Sequence, residues 1–514
     1  MDVTAKAPMD SAHEARSLNA AVEQPPSLTS QALWLLAAKT VGFVLSFAFP
    51  LLLVRRLNQV HFGLYKQTFL LIDLAQSILP LGFGMSAFYF LPRETARRPR
   101  VVFNILLYNA AIGMLALATL LLFPRVLVAL VGSPQLVGYA PLIGVVMAAT
   151  IFSAFLEVVA TANQDIKSST IFIVFAQFTK AVFMIAAALW SATLGALLAA
   201  ALIQNSLQGA VLIRYARRKF SGFWKKLDLA FFAEQLRYAM PLGLAGLIYT
   251  LETQVHNLWV SKVFGPAAYA IYAMGCFQIP LIGLLYESVA AVLLSRISHL
   301  QHTGQHREIL ELSLRVASKL AAVYLPLYAL LMVVGREFLV FLFTRQYEAS
   351  WPVFAVNLTL LPLSIFPYDP VLRAYAAHRF FLLRVRLILV FCMIPALWAG
   401  TQRFGMMGAI GVVVVVAAVE RALIIRKVFS ILQVRLADLA LMSDLVKIGL
   451  VAAAAAAGAA LLRSVLLPQR PFFILAACGT LFGIIYLAGA WFTRLVSAED
   501  LRAAREWLSS RRLG

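Results

Sequence analysis

Apolar residues fall in long blocks along this chain, and the polar positions between the blocks form short connections. A helix that crosses a bilayer needs about 20 predominantly apolar residues. About fourteen runs meet that length: 29–54, 65–91, 101–123, 140–163, 169–190, 193–214, 236–262, 267–295, 312–334, 352–377, 380–401, 405–430, 442–463 and 471–493. Pro362, Pro367 and Pro370 interrupt the run at 352–377, which makes it the poorest continuous helix of the set. The pattern predicts an all-α integral membrane protein with about 14 transmembrane helices. Residues 1–28 are polar, mix acids with bases, and read as a tail without a packed core. They hold no short apolar core followed by small residues, so the first span is expected to stay in the mature protein.

A faint repeat runs through the blocks. The first span leaves through LLVRRLNQVHFGLYKQ (52–67) and the seventh through LWVSKVFGPAAYAIYAM (258–274). Both pass through a short turn into an aromatic–small–aliphatic–Tyr step, Phe62-Gly63-Leu64-Tyr65 and Tyr269-Ala270-Ile271-Tyr272. The expected organisation is a cytoplasmic tail (1–28), a six-span half (29–214), a basic linker (215–235), a second six-span half (236–430), an extra pair (442–493) and a basic tail (494–514). Transporters built from repeated halves place their substrate between them.

Composition agrees with the pattern. Only 13% of the 514 residues are charged and 62% are hydrophobic, against about 25% charged in soluble domains. The net charge of +21 does not point to nucleic acid, because the basic residues cluster between apolar runs, as in RETARRPR at 93–100 and RYARRKF at 214–220. Loops after even-numbered spans carry this excess, among them Arg93, Arg97, Arg98, Arg100, Arg217, Arg218 and Lys219, which predicts that both termini are cytoplasmic. Cys276, Cys392 and Cys478 lie scattered inside apolar runs and offer neither a disulfide framework nor metal-ligand spacing. No catalytic motif stands out, and no connection exceeds about twenty residues, too short for a catalytic domain of roughly fifty or more.

Charged side chains inside spans are the candidate functional residues, since each costs about 2.5–3.5 kcal/mol to insert and usually faces a cavity or a partner. Lys39, in ALWLLAAKTVGFVLSFAFP (32–50), and Lys180 both lie roughly 15 Å deep at about 1.5 Å per residue, too deep to snorkel. For Lys39 two readings stand: an ion pair with Glu157, or a cationic wall for an anionic substrate. Asp73 lies closer to the outer face and is the poorer match. Later spans are richer in acids. Asp369 sits in the proline-broken FPYDP (366–370), and Glu287 lies at a similar depth. Either could exchange a proton or bind a cation, because a buried carboxylate has a raised pKa. Pairing of Asp369 with Arg373 and of Glu420 with Arg421 is the structural alternative. Glu252 and His256 share a helix face, as a relay or as a satisfied hydrogen bond.

The stretch LLVRRLNQVHFGLYKQTFLLIDLAQSILPLGFGMSAFYFLPRE (52–94) resembles the start of a Wzx-type polysaccharide flippase of the multidrug/oligosaccharidyl-lipid/polysaccharide exporter superfamily. Phe62, Gly63 and Tyr65 match its Leu-Gly-x-x-x-Phe/Tyr-Gly-x-Tyr pattern, and LGFG (81–84) matches its later Gly-rich turn, while Asn58 stands where Gly is frequent. VFGPAAYAIYAM (263–274) keeps the second-half glycine, Gly265. The resemblance implies two six-helix bundles forming a V-shaped cavity, with two extra C-terminal helices. It implies alternating access for an undecaprenyl-diphosphate-linked oligosaccharide, carried from the cytoplasmic to the periplasmic leaflet of the bacterial inner membrane. Lys39 and Lys180 would then bind the diphosphate, Asp369, Glu287 and Glu252 would couple transport to protons or sodium ions, and no cofactor is required. Membrane lipid and polysaccharide assembly proteins are the expected partners.

The extra helix pair resembles that of the lipid II flippase, where it forms a groove for the lipid tail. The Ser-Gly-x-x-Arg-Asp-type motif expected of that flippase is missing, which argues against lipid II as cargo. A multidrug exporter of the same fold is the nearest alternative, favoured by the acids and opposed by the lysines. A membrane polysaccharide polymerase or ligase is a further one, opposed by short outward loops.

Overall fold

The computed structural model describes residues 49–225, 228–375, 379–434, 438, 442–466, 469–493 and 495. These residues form helices joined by turns and short 3-10 segments, with no strand among them. That is what hydrocarbon demands, since a helix satisfies its backbone within one segment. Residues 49–56 are helical. They are followed by α1 (Gln59–Ile78), α2 (Ala87–Arg93), α3 (Arg98–Leu122), α4 (Val126–Val131), α5 (Ala140–Ser153), α6 (Phe155–Ala162), α7 (Ile166–Trp190) and α8 (Leu194–Lys219). The C-terminal helices are α9 (Leu229–Gly275), α10 (Pro280–His302), α11 (His306–Phe343), α12 (Trp351–Leu358), α13 (Leu360–Leu363), α14 (Tyr368–Ala374), α15 (Arg379–Ile431), α16 (Ser443–Leu466) and α17 (Pro471–Phe492). Short polar side chains start several of them: Asn58 accepts from the His61 N–H at 2.9 Å, Asp165 from Ser168 at 3.1 Å, and Asp228 from Phe231 at 3.0 Å.

Eight helices among the described residues are long and apolar enough to cross a membrane, or up to ten if each of two bent pairs is one span. The chain is therefore a multi-pass membrane protein. The difference from fourteen has identifiable sources. Most of the run at 29–54 lies outside the described residues. The runs at 380–401 and 405–430 merge into α15, which breaks at Gly405. The runs at 236–262 and 267–295 fall in α9 and α10, which are not among those eight helices. In α9 the stretch from Glu252 to Asn257 is polar.

The breaks are informative. The span at 65–91 bends by 41° between α1 and Phe83–Arg93, and the proline-rich run bends by 45° between Arg345–Leu363 and Tyr368–Ala374. Leu81 and Gly82 take positive φ at the first bend. The helix also breaks at 276–279, between α9 and α10, and at Ala154, between α5 and α6. Freed backbone groups at such depth are tolerated where they are buried in protein or line a cavity.

The motifs singled out in the sequence meet in space. A Cβ at Gly63 would overlap the Pro266 carbonyl, so only glycine lets α1 approach α9 this closely. Gly265, just before Pro266, takes φ 78° and ψ 179° and breaks α9 there. At the other end of α1, a Cβ at Gly243 would overlap the Leu81 carbonyl. Buried Gln67 ties this seam by donating to the Val131 and Ser261 carbonyls at 3.2 and 3.4 Å and accepting from Ser133 at 2.7 Å.

The N-terminal helices (α1–α8) touch the C-terminal ones (α9–α17) at both ends. At one end Arg100 pairs with Asp228 at 3.0 Å, Asn104 donates to Gln235 at 2.7 Å, and Tyr89 stacks on Tyr238 with centroids 4.4 Å apart. At the other, Gln59 donates to the Gln346 carbonyl at 2.5 Å, and Phe62 meets Tyr347 edge-on at 5.8 Å. The final pair, α16 and α17, packs on α11 through Val334, Ala455, Ala459, Ile474, Cys478 and Phe482. Arg463 of α16 pairs there with buried Glu337 at 2.8 Å.

Candidate functional site

Two polar cavities lie inside this apolar frame, one among the N-terminal helices and one among the C-terminal helices. The N-terminal cavity, of about 270 Å³, is walled by α1, α5, α6, α7 and α8. It brings together Asp73, Glu157 and Lys180. Lys180 is exposed, although it lies mid-way along α7, because it faces this space. Asp73 was the poorer match by depth, yet it lines the same cavity as Glu157, and the charges of Lys180 and Lys66 both reach it. Lys39 lies outside the described residues. The rest of the wall is amide and hydroxyl: Gln76, Gln177, Gln204, Asn205 and Gln208 with Thr150 and Ser153. These amides are uncharged, so a search for charges in spans passed over them. The QNSLQ run at 204–208 inside an apolar block was the available signal.

The C-terminal cavity is larger, about 980 Å³, and all three candidate coupling acids, Glu252, Glu287 and Asp369, line it. They come from three different elements, α9, α10 and α14. Glu252 faces Arg386 of α15, whose Nε lies 3.3 Å from Glu252 Oε2 and 3.0 Å from Glu420 Oε1. The three side chains are only 11, 18 and 8% exposed, in the order Glu252, Arg386, Glu420. The guanidinium also sits 5.0 Å from the Tyr249 ring centroid. Arg386 was missed in the sequence because it lies near the start of its run, where a basic residue reads as a loop charge. The alternative of a Glu420–Arg421 pair does not form: Glu420 pairs with Arg386. Adjacent helical residues point in different directions, and Arg421 instead donates to the Ser364 hydroxyl at 3.2 Å and the Ala417 carbonyl at 3.1 Å.

Asp369 does pair with Arg373, one turn on, at 2.8 Å. His256 is satisfied by Tyr272, 2.8 Å from its Nδ1, rather than by Glu252. Glu287 is exposed to the cavity and has no ion-pair partner among the described residues. Among those residues no three His, Cys, Asp or Glu side chains converge as a metal site.

Outside the spans, Asp165 anchors a polar knot at the start of α7, with the Lys219 ammonium at 3.2 Å and the Tyr215 hydroxyl donating at 3.4 Å. Partial burial would raise its pKa, but the Ser168 N–H and Lys219 outweigh that and hold the carboxyl below the usual carboxylate range.

Solved structures share this multi-span helical frame. The lipid II flippase MurJ in an inward closed conformation superimposes with a TM-score of 0.71 at 14% identity, covering 90% of this chain and 99% of that chain. An inward-facing multidrug resistance MATE family transporter of the MOP superfamily gives 0.57 at 15% identity, over 81% of this chain and 97% of that one. A MOP superfamily transporter from Pyrococcus furiosus, reported with a binding pocket of reversed polarity, gives 0.55 at 13%, over 78 and 94%. At these identities the likeness shows the MOP-superfamily fold. No curated protein gives a significant match. The family of polysaccharide biosynthesis proteins matches residues 52–352, more than half of the chain, and the chain belongs to that family.

Proposed function

We propose that this protein is a flippase that moves undecaprenyl-diphosphate-linked oligosaccharide repeat units from the cytoplasmic to the periplasmic leaflet of a bacterial inner membrane. The role is transport and not catalysis. It serves cell-surface or exopolysaccharide assembly, in company with other proteins of that assembly line. The observation that carries the reading is the polar, water-open interior of a multi-span member of a polysaccharide biosynthesis family. A diphosphate and a sugar chain are both prohibitively costly to pass through hydrocarbon. An interior lined by amides, lysine and arginine replaces their water, while the lipid tail stays in the bilayer.

In this reading the six-span halves rock about the α1–α9 seam, with both termini in the cytoplasm. Lys39 and Lys180 meet the diphosphate. Glu252 and Asp369, assigned to ion coupling with Glu287, already have arginine partners, so a proton or sodium ion has its freest access to Glu287. The C-terminal cavity carries four acids, Glu252, Glu287, Asp369 and Glu420, beside three arginines, so the multidrug-exporter alternative is opposed by Lys180 and by the polysaccharide biosynthesis family match, and not by those arginines.

Deleting the gene is expected to leave lipid-linked repeat units on the cytoplasmic leaflet and to stop polymer export. Unchanged export, with the carrier distributed normally, overturns the reading.

A further inference from the structure

The N-terminal cavity contains an anomaly. Gln204 and Gln208 are one turn apart on α8 and only 5 and 9% exposed. Neither has a hydrogen-bond partner among the described residues, and both line the cavity. Their neighbour Asn205 is satisfied, accepting from Ser153 at 2.9 Å and donating to the Ala201 carbonyl at 2.9 Å. Polar side chains in spans normally bond across to another helix, and a buried amide left unpaired costs stability. Two such amides on one face, aimed into one space, form a binding surface awaiting a ligand.

The chemistry of that ligand follows from what surrounds it. A primary amide offers two donors and an acceptor, so two amides match a ligand dense in groups that both donate and accept. Asp73 and Glu157 are acceptors for hydroxyl hydrogens, and Lys180 is a donor. The carboxylates of Asp73 and Glu157 repel a phosphate placed directly against them and accept from hydroxyls instead. The volume is at the small end for small-molecule pockets. We infer that this cavity is a sugar subsite that takes one pyranose of the lipid-linked cargo through its hydroxyls, with Gln204 and Gln208 as its specificity-determining residues. The inference rests on the flippase reading and deepens it: Lys180, which lines the same cavity, is left to meet the diphosphate end of the cargo.

The test uses the full chain in lipid nanodiscs. The probes are bare undecaprenyl diphosphate and the same carrier bearing one hexose or one N-acetylhexosamine. The wild type is expected to bind at least one sugar-bearing carrier about tenfold more tightly than the bare one. Gln204→Leu with Gln208→Leu should bind the bare carrier as the wild type does and lose the preference. It should also unfold at the same temperature or higher, because the lost amides have no partner among the described residues. A variant that keeps the sugar preference overturns the subsite. So does one that unfolds at a clearly lower temperature, since the amides then serve the fold. Equal binding of bare and sugar-bearing carriers by the wild type overturns the subsite and leaves the flippase standing. Binding of neither carrier overturns both.

Discussion

The two cavities solve the problem of polar groups in a membrane in opposite ways. In the C-terminal one most charges are wired to each other: Arg386 bridges Glu252 and Glu420, and Asp369 holds Arg373, while Glu287 faces the space. In the N-terminal one, Gln204 and Gln208 face the space without hydrogen-bond partners among the described residues, and Lys180 stands exposed in it. A wired network resists change, because removing one member strands the others in low dielectric. An open one is ready for an incoming ligand and loses little stability when altered. On the proposed flippase reading the contrast would divide labour, with the C-terminal cavity holding the frame and the N-terminal cavity meeting the cargo.

The largest effect should come from cutting the wire. Arg386→Gln leaves Glu252 and Glu420 facing each other and should destabilise the protein by about 3–5 kcal/mol, read by denaturant or thermal unfolding in detergent. Replacing all three, Arg386→Met with Glu252→Gln and Glu420→Gln, should recover most of that loss. If Arg386→Gln is as mild as a surface change, the C-terminal cavity is not wired in the way its distances imply.

Next in size is the change in the open cavity. Lys180→Gln should alter stability by no more than about 0.5 kcal/mol but lower transport at least tenfold. Lys180→Arg should keep part of the activity, since the charge persists while the geometry changes. A variant that is both unstable and inactive would make Lys180 a structural partner of Asp73 and erase the contrast.

The smallest effect concerns the one strongly held carboxylate of the N-terminal helices outside the spans. Asp165 has its pKa depressed in the folded state. Its contribution to stability is therefore complete above its unfolded value of about 3.9 and disappears as pH falls through the folded value. Lys219 is half exposed, so the contribution is modest. Asp165→Asn should lower the unfolding temperature slightly at neutral pH and flatten its decline as pH falls below the unfolded value of about 3.9.

Much of this frame could be read from residues alone. Block lengths marked the helices and Pro367 marked a bend; the two turns were read as a repeat, and that they pack on each other, with Gly63 on Pro266, is seen only in the structure. The acids named as a group, Glu252, Glu287 and Asp369, do share one cavity. Partners were not legible. Glu420 and Arg386 are 34 residues apart, and only the hairpin within α15 brings them together. The adjacent Arg421 was a decoy of proximity in sequence. The amides of α8 were hidden for a different reason. A polar residue in a span reads as packing until the structure shows that it lines a cavity without a hydrogen-bond partner among the described residues.

The most direct test of the central claim is a translocation measurement. The purified chain is reconstituted in vesicles loaded with undecaprenyl-diphosphate-linked repeat units, and a membrane-impermeant glycosidase outside reports the sugar that reaches the outer leaflet after the initially exposed fraction has been removed. Vesicles with the wild type should deliver further sugar to the enzyme, and vesicles with Lys180→Gln should do so at least tenfold more slowly. Delivery no faster than in protein-free vesicles, alongside export of an amphipathic organic cation, would contradict the account and make the chain an exporter of another cargo.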